Sequence, residues 1–105
     1  MSKQIGQTAQ AIRLYQQSIN LFPNSPDAYS NLGNHLREIG KLKEAETYML
    51  KSIELKPDFA IAHCNLGNIY KEGAIFAEAE LYYRNAISID PQYAMAFFYL
   101  GTLLI

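Results

Sequence analysis

Apolar residues recur along this chain at intervals of three and four, and the stripe they draw breaks off and restarts at regular places. Tyr29, Leu32, Gly33 and Leu36 make one such stripe. Leu42, Ala45, Met49, Ser52 and Ile53 make a second, so the spacing predicts two consecutive amphipathic helices. Gly40 lies between them and is expected to end the first. Ser25 suits the capping position before that helix, with Pro26 at its first residue and Asp27 in its first turn, where a carboxylate meets the positive end of the dipole. Asp58 and the Asp90-Pro91 pair are expected to mark later helix starts in the same way. Pro23, Pro57 and Pro91 each fall just beyond a second helix, which cannot continue through a proline. The unit predicted is a helix-turn-helix hairpin.

This hairpin repeats. Gly33, Gly67 and Gly101 are 34 residues apart, as are Ala11, Ala45 and Ala79, and the three prolines above. Laid over residues 60–93 without a gap, residues 26–59 give 12 identities, among them the Asn-Leu-Gly-Asn run. A fixed period of this size is the signature of a repeat array. The period divides the chain into a partial unit at 1–25 holding a second helix alone (Gln7 to Leu21), complete units at 26–59 and 60–93, and a partial unit at 94–105 holding a first helix alone (Ala94 to Leu104). About six helices and no strands are expected. Gly33 and Gly67 fall on the stripe of the first helix and Ala45 and Ala79 on that of the second, so the helices of a hairpin can approach closely. One hairpin cannot bury both its stripes, and stacking on neighbours then gives an all-α solenoid.

The pattern resembles the tetratricopeptide repeat. Tyr29-x-x-Leu32-Gly33-x-x-Leu36, Gly40, Ala45, Met49, Ser52 and Pro57 match it in one unit, and His63-x-x-Leu66-Gly67-x-x-Tyr70, Ala79, Tyr83, Ala86 and Pro91 in the next. His63 stands where the family prefers an aromatic ring, and Gly73 comes one residue earlier in its unit than Gly40 does. The resemblance implies a right-handed solenoid of antiparallel hairpins whose first helices line a concave, peptide-binding groove. The residues it assigns to that groove are Asp27, Ser30, Asn34 and Arg37 in the first helix, Ile61, Cys64, Asn68 and Lys71 in the second, and Met95, Phe98 and Thr102 in the third. Read in that order, the groove runs from polar to apolar. Asn31 and Asn65, with Tyr99 at the third position, resemble the asparagine ladder of O-linked N-acetylglucosamine transferase arrays, in which amides grip a peptide backbone. The competing reading is that each asparagine bonds to the neighbouring helix. The groove that clamps acidic chaperone tails needs basic residues where this chain has Ser30, Met95 and Tyr99.

Composition narrows the function classes. Among 105 residues, nine basic side chains are interspersed with ten acidic ones, which is not the positive stripe that nucleic acid or an anionic membrane surface requires. Half the residues are hydrophobic, ample for a core. The apolar run from Tyr93 to Ile105 is shorter than the ~20 residues that span a bilayer. A single cysteine makes no internal disulfide, and a cytoplasmic setting is expected. His63 and Cys64 are adjacent but point about 100° apart on a helix, so they do not form a nucleophile-base pair, and His63 is expected to pack as a ring between helices. His35 reads as a surface residue. No glycine-rich phosphate loop, metal-ligand set or cofactor motif is apparent.

The expectation is a scaffold that binds a protein or peptide in its groove, not an enzyme. The rivals are a piece of a larger enzyme, of the glycosyltransferase or sulfotransferase type, and a self-assembling module. The last follows from two apolar stripes expected to have nothing packed on them: Ala11, Ile12, Tyr15 and Ile19 at one end, and Phe97, Leu100, Leu103 and Leu104 at the other.

Overall fold

The computed structural model describes residues 3–105, which form six helices: α1 (Lys3–Leu21), α2 (Pro26–Glu38), α3 (Leu42–Leu55), α4 (Ala60–Glu72), α5 (Phe76–Ile89) and α6 (Ala94–Leu103). Each helix packs on the next in sequence, and α4 also touches α2 on one side and α6 on the other. This is the stacking of hairpins that the 34-residue period requires. It makes two layers: α2, α4 and α6 form one, and α1, α3 and α5 the other.

Local chemistry accounts for the helix ends. Ser25 Oγ accepts the Ala28 amide at 3.3 Å, with Pro26 and Asp27 opening α2 as expected. Asp58 and Asp90 do not repeat this role. The residues one period beyond Ser25 are Phe59 and Tyr93, and these occupy the capping positions of α4 and α6 without a side-chain bond. Asp58 pairs instead with Lys56, and Asp90 Oδ1 accepts the Gln92 amide at 3.1 Å inside the turn. Gly40 has φ +84° after α2, a left-handed conformation that suits glycine. In the next unit the left-handed residue is Ala74, at φ 62°, because Gly73 arrives one place early and ends α4 in an ordinary conformation.

The glycines at 33 and 67 are where the hairpins close. A Cβ built on Gly33 would sit 2.9 Å from Met49 Cε and 3.1 Å from the Ala45 carbonyl; one on Gly67 would sit 2.6 Å from Tyr83 Cε1. Only hydrogen fits there. Around these contacts lie two clusters. Leu32, Leu36, Ala45, Met49, Ala62, Leu66 and Ile69 form the first, and Cys64, Ala79, Tyr83, Ala86, Ala96 and Leu100 the second. Polar bonds tie the layers where backbone ends or hydroxyls are enclosed. Ser52 Oγ donates to the Pro26 carbonyl at 2.8 Å, and Tyr70 OH donates to Glu46 Oε2 at 2.7 Å across from one unit to the next.

Both end stripes differ from expectation. Ile12, Tyr15 and Ile19 pack against the first cluster, Ala11 is half-buried, and Tyr15 stacks on His35 of α2 at 5.2 Å between ring centroids. Leu100 is buried in the second cluster and Leu103 packs on it. The reason is that an end helix still packs on the one beside it: α2 covers a flank of the α1 stripe and α5 a flank of the α6 stripe. Phe97 and Leu104 are exposed, as are Leu14 and Leu21 on α1 and Phe22 just beyond it.

Candidate peptide-binding face

The candidate face is the side of the α2–α4–α6 layer turned away from α3 and α5. Its floor is formed by residues that contact the next helix in the layer. Ser30, Cys64 and Asn68 are buried there, Cys64 at 1 % exposure, so these three expected groove residues are corrected to supports beneath the surface. The reason is register: three residues before and one after the glycine, a side chain points between adjacent first helices. Ser30 Oγ lies 3.5 Å from Asn65 Nδ2 on α4. Asn68 Oδ1 accepts a 2.6 Å bond from Tyr83 OH, which fixes that amide from below. Burial pushes the Cys64 thiol up to about 11, with the Tyr93 hydroxyl and the Lys71 charge pulling it back in part. An un-ionised thiol at neutral pH is a packing group, not a nucleophile.

Above this floor, Asp27, Asn31, Ile61, Met95, Phe98 and Thr102 are exposed, and Asn34, Arg37, Asn65, Lys71 and Tyr99 are partly so. Among the described residues Asn31 has no side-chain hydrogen-bond partner, and Asn65 bonds across to Ser30 on the neighbouring helix, as the competing reading expects, at the long limit for such a bond. Both amides therefore keep donors and acceptors available. The two cations are engaged. Arg37 donates to Glu72 across the α2–α4 junction and to Asn34 Oδ1 at 2.8 Å. Lys71 Nζ lies 5.4 Å from the centroid of the Tyr99 ring, within cation–π range. Phe98 packs edge-on against Tyr99 at 5.6 Å. The outcome is a surface with a free amide at α2 and a weakly held one at α4, an Arg37 charge neutralised by Glu72 at its centre, and exposed apolar side chains at Ile61, Met95 and Phe98.

The Arg37–Glu72 and Lys71–Tyr99 pairs were not foreseen from sequence. The signal was present in the 34-residue register, which aligns Arg37 with Lys71 and Glu38 with Glu72. It did not reveal that Arg37 reaches its neighbour unit's glutamate rather than solvent. His63 packs as expected: its ring stacks on Tyr82 at 5.7 Å and Nε2 is 2.9 Å from the Pro57 carbonyl. Among the described residues no helix is long and apolar enough to cross a membrane.

Comparison with known proteins agrees with this architecture. The family described as the TPR repeat matches residues 3–36 and 33–72, and that described as the tetratricopeptide repeat matches residues 60–93. No curated protein sequence matches the chain. Among solved structures, the Arabidopsis OM64 TPR domain is similar at TM-score 0.89 and 20 % identity, covering 97 % of this chain and 84 % of that one. The first TPR of Spaghetti (RPAP3), bound to the HSP90 peptide SRMEEVD, is similar at TM-score 0.88 and 19 % identity, covering 93 % and 78 %. MamA is similar at TM-score 0.85 and 27 % identity, covering 94 % of this chain and 58 % of that one. The fold is thus that of protein-interaction modules, and the chain belongs to the tetratricopeptide-repeat family.

Proposed function

We propose that this array is a protein-interaction module, not a catalyst, whose concave face holds an extended peptide of neutral, partly apolar sequence. The observation that carries this reading is the combination of the exposed Asn31 amide and the Asn65 amide, held only by a long 3.5 Å bond to Ser30, with an Arg37 already paired to Glu72. An amide pairs with the peptide main chain in any sequence, since it supplies both a donor and an acceptor. The exposed Ile61, Met95 and Phe98 supply apolar contact beside it, and a group of exposed apolar residues is a common mark of a contact surface.

An acidic tail is a poorer fit. One similar structure holds the HSP90 peptide SRMEEVD, but a carboxylate entering this groove would have to displace Glu72 from Arg37, which leaves Lys71, among the described residues, as the one groove cation not paired with a carboxylate. That exchange trades one ion pair for another and leaves little net gain. Ser30, Met95 and Tyr99 offer no cation in their place.

The test is a binding comparison on a peptide array in which neutral sequences with apolar side chains are set against acidic-ended ones. Neutral peptides are expected to bind more tightly. Replacing Asn31 and Asn65 together by Ala is expected to weaken them by about 1–3 kcal/mol, the usual loss for hydrogen bonds of this kind, with the circular dichroism unchanged. Preference for acidic tails, or full affinity in the double variant, would contradict the reading.

A further inference from the structure

Two exposed apolar faces of this molecule are the two halves of an interface that the chain already makes twice within itself. In each complete unit the second helix lays a large side chain over a glycine of the first, Met49 over Gly33 and Tyr83 over Gly67. It also sets an aromatic ring against the first helix. Tyr48 stacks on Tyr29 at 6.2 Å, while Tyr82 lies 5.7 Å from both His63 and Tyr70.

One period further on, the same positions of the first helix are Gly101, Phe97 and Leu104. A Cβ on Gly101 would find nothing within 4 Å, and Phe97 and Leu104 are 50 % and 57 % exposed. One period earlier, the corresponding positions of the second helix are Tyr15 and Leu14. Tyr15 is half-buried and Leu14 is 58 % exposed. The glycine socket on α6 thus has no side chain over it, and α1 carries residues in the register that fills such sockets elsewhere. None of these five residues is charged, so burying them against one another strands no ion.

We propose that α1 of a second copy of this chain docks on α6 in the register that α3 takes on α2 and α5 takes on α4. Tyr15 of the incoming copy then lies over Gly101, and its Leu14 packs between Phe97 and Leu104. The contact joins unlike faces, so it leaves one face of each kind open on every pair and propagates head to tail instead of closing as a two-fold dimer. It leaves Asn31, Asn65 and Met95 outside the contact, and its success or failure is separate from that of the peptide groove.

Sedimentation velocity on the 105-residue chain tests this over a wide range of protein concentration. The boundary is expected to move faster as concentration rises. Gly101→Leu has room in the single chain, because nothing stands within 4 Å of the added carbon. It should keep its helical circular dichroism and melt no lower than the parent, yet lose association by filling the socket. Leu14→Asp alters an exposed residue on the opposite face and should lose association as well. An equimolar mixture of the two variants retains one intact face of each kind, and is expected to form a species of two chains and nothing larger. A parent chain that stays monomeric throughout overturns the proposal. So does either variant that associates like the parent, or a mixture that stays monomeric or grows beyond two chains.

Discussion

Gly33, Gly67 and Gly101 occupy one position in three successive units, yet only the first two lie against another helix. Their substitutions should therefore behave differently. Gly67→Leu forces a side chain into a space already filled by the Tyr83 ring, and overpacking of this sort costs about 1–3 kcal/mol; thermal melts should show a clear drop. An unchanged melting temperature would mean that the hairpin does not close at that point. Ala74 gives the opposite expectation. It is a non-glycine residue in a left-handed conformation at φ 62°, a state that costs roughly 1 kcal/mol for residues with a Cβ. Ala74→Gly should raise stability by about that amount in a urea titration, and a loss would contradict the assignment of strain to this turn. The two glycines were legible in the sequence because small residues at helical spacing have a steric meaning. Ala74 was not, since an alanine carries no mark of an unusual dihedral; only the displaced Gly73 pointed to that turn.

At the scale of the helix, the second-unit hairpin is held by buried hydroxyls as well as apolar contact. Burial raises the phenols of Tyr70 and Tyr83 well above the ordinary range, and that of Tyr93 to about 12; for Tyr70 the nearby Glu46 adds to the effect. Burial raises the Cys64 thiol to about 11. Each group is an acid whose folded value lies above its ordinary one, 9.0 for the thiol and 10.0 for the phenols. The folded chain then binds more protons than the unfolded chain at alkaline pH, and stability falls as pH rises. The contribution is complete below pH 9.0 and is lost progressively above it, most steeply above pH 10.0. Denaturant midpoints measured on either side of that window should fall with rising pH, and Tyr83→Phe should reduce the dependence. A flat profile would show that these groups are not enclosed. Helix number and order, and the start of α2 at Pro26, could be read from the apolar period and its punctuation. The start of α1 at Lys3 instead of Gln7 could not, because Ile5-Gly6 matches Ile39-Gly40 one period on, where the register places a turn and not a helix. The capping role assigned to Asp58 and Asp90 went astray for a related reason. Composition suggested an aspartate, whereas the 34-residue register placed Phe59 and Tyr93 there.

For the molecule as a whole, the period decides which side chains face the groove and which support it, but exposure depends on whether another helix follows in the layer. Ser30, Cys64 and Phe98 are equivalent in register; the first two are buried by the next first helix, and Phe98 is open. A sequence read one helix at a time assigned all three to the groove surface. Charge is a second property that emerges only in the assembled array: Arg37 and Glu72 come from different units and meet across the α2–α4 junction. Under the proposed function, that meeting takes Arg37 out of competition for an acidic ligand. The most direct measurement of this is backbone and side-chain amide NMR of the isotope-labelled chain during titration with a neutral, apolar peptide taken from the array comparison. Shifts should concentrate at the Asn31 and Asn65 side-chain amides and along Ile61, Met95 and Phe98, with α3 and α5 nearly silent. Shifts centred on the outer layer of α1, α3 and α5, with the two asparagine amides unmoved at saturation, would contradict a concave peptide-binding face.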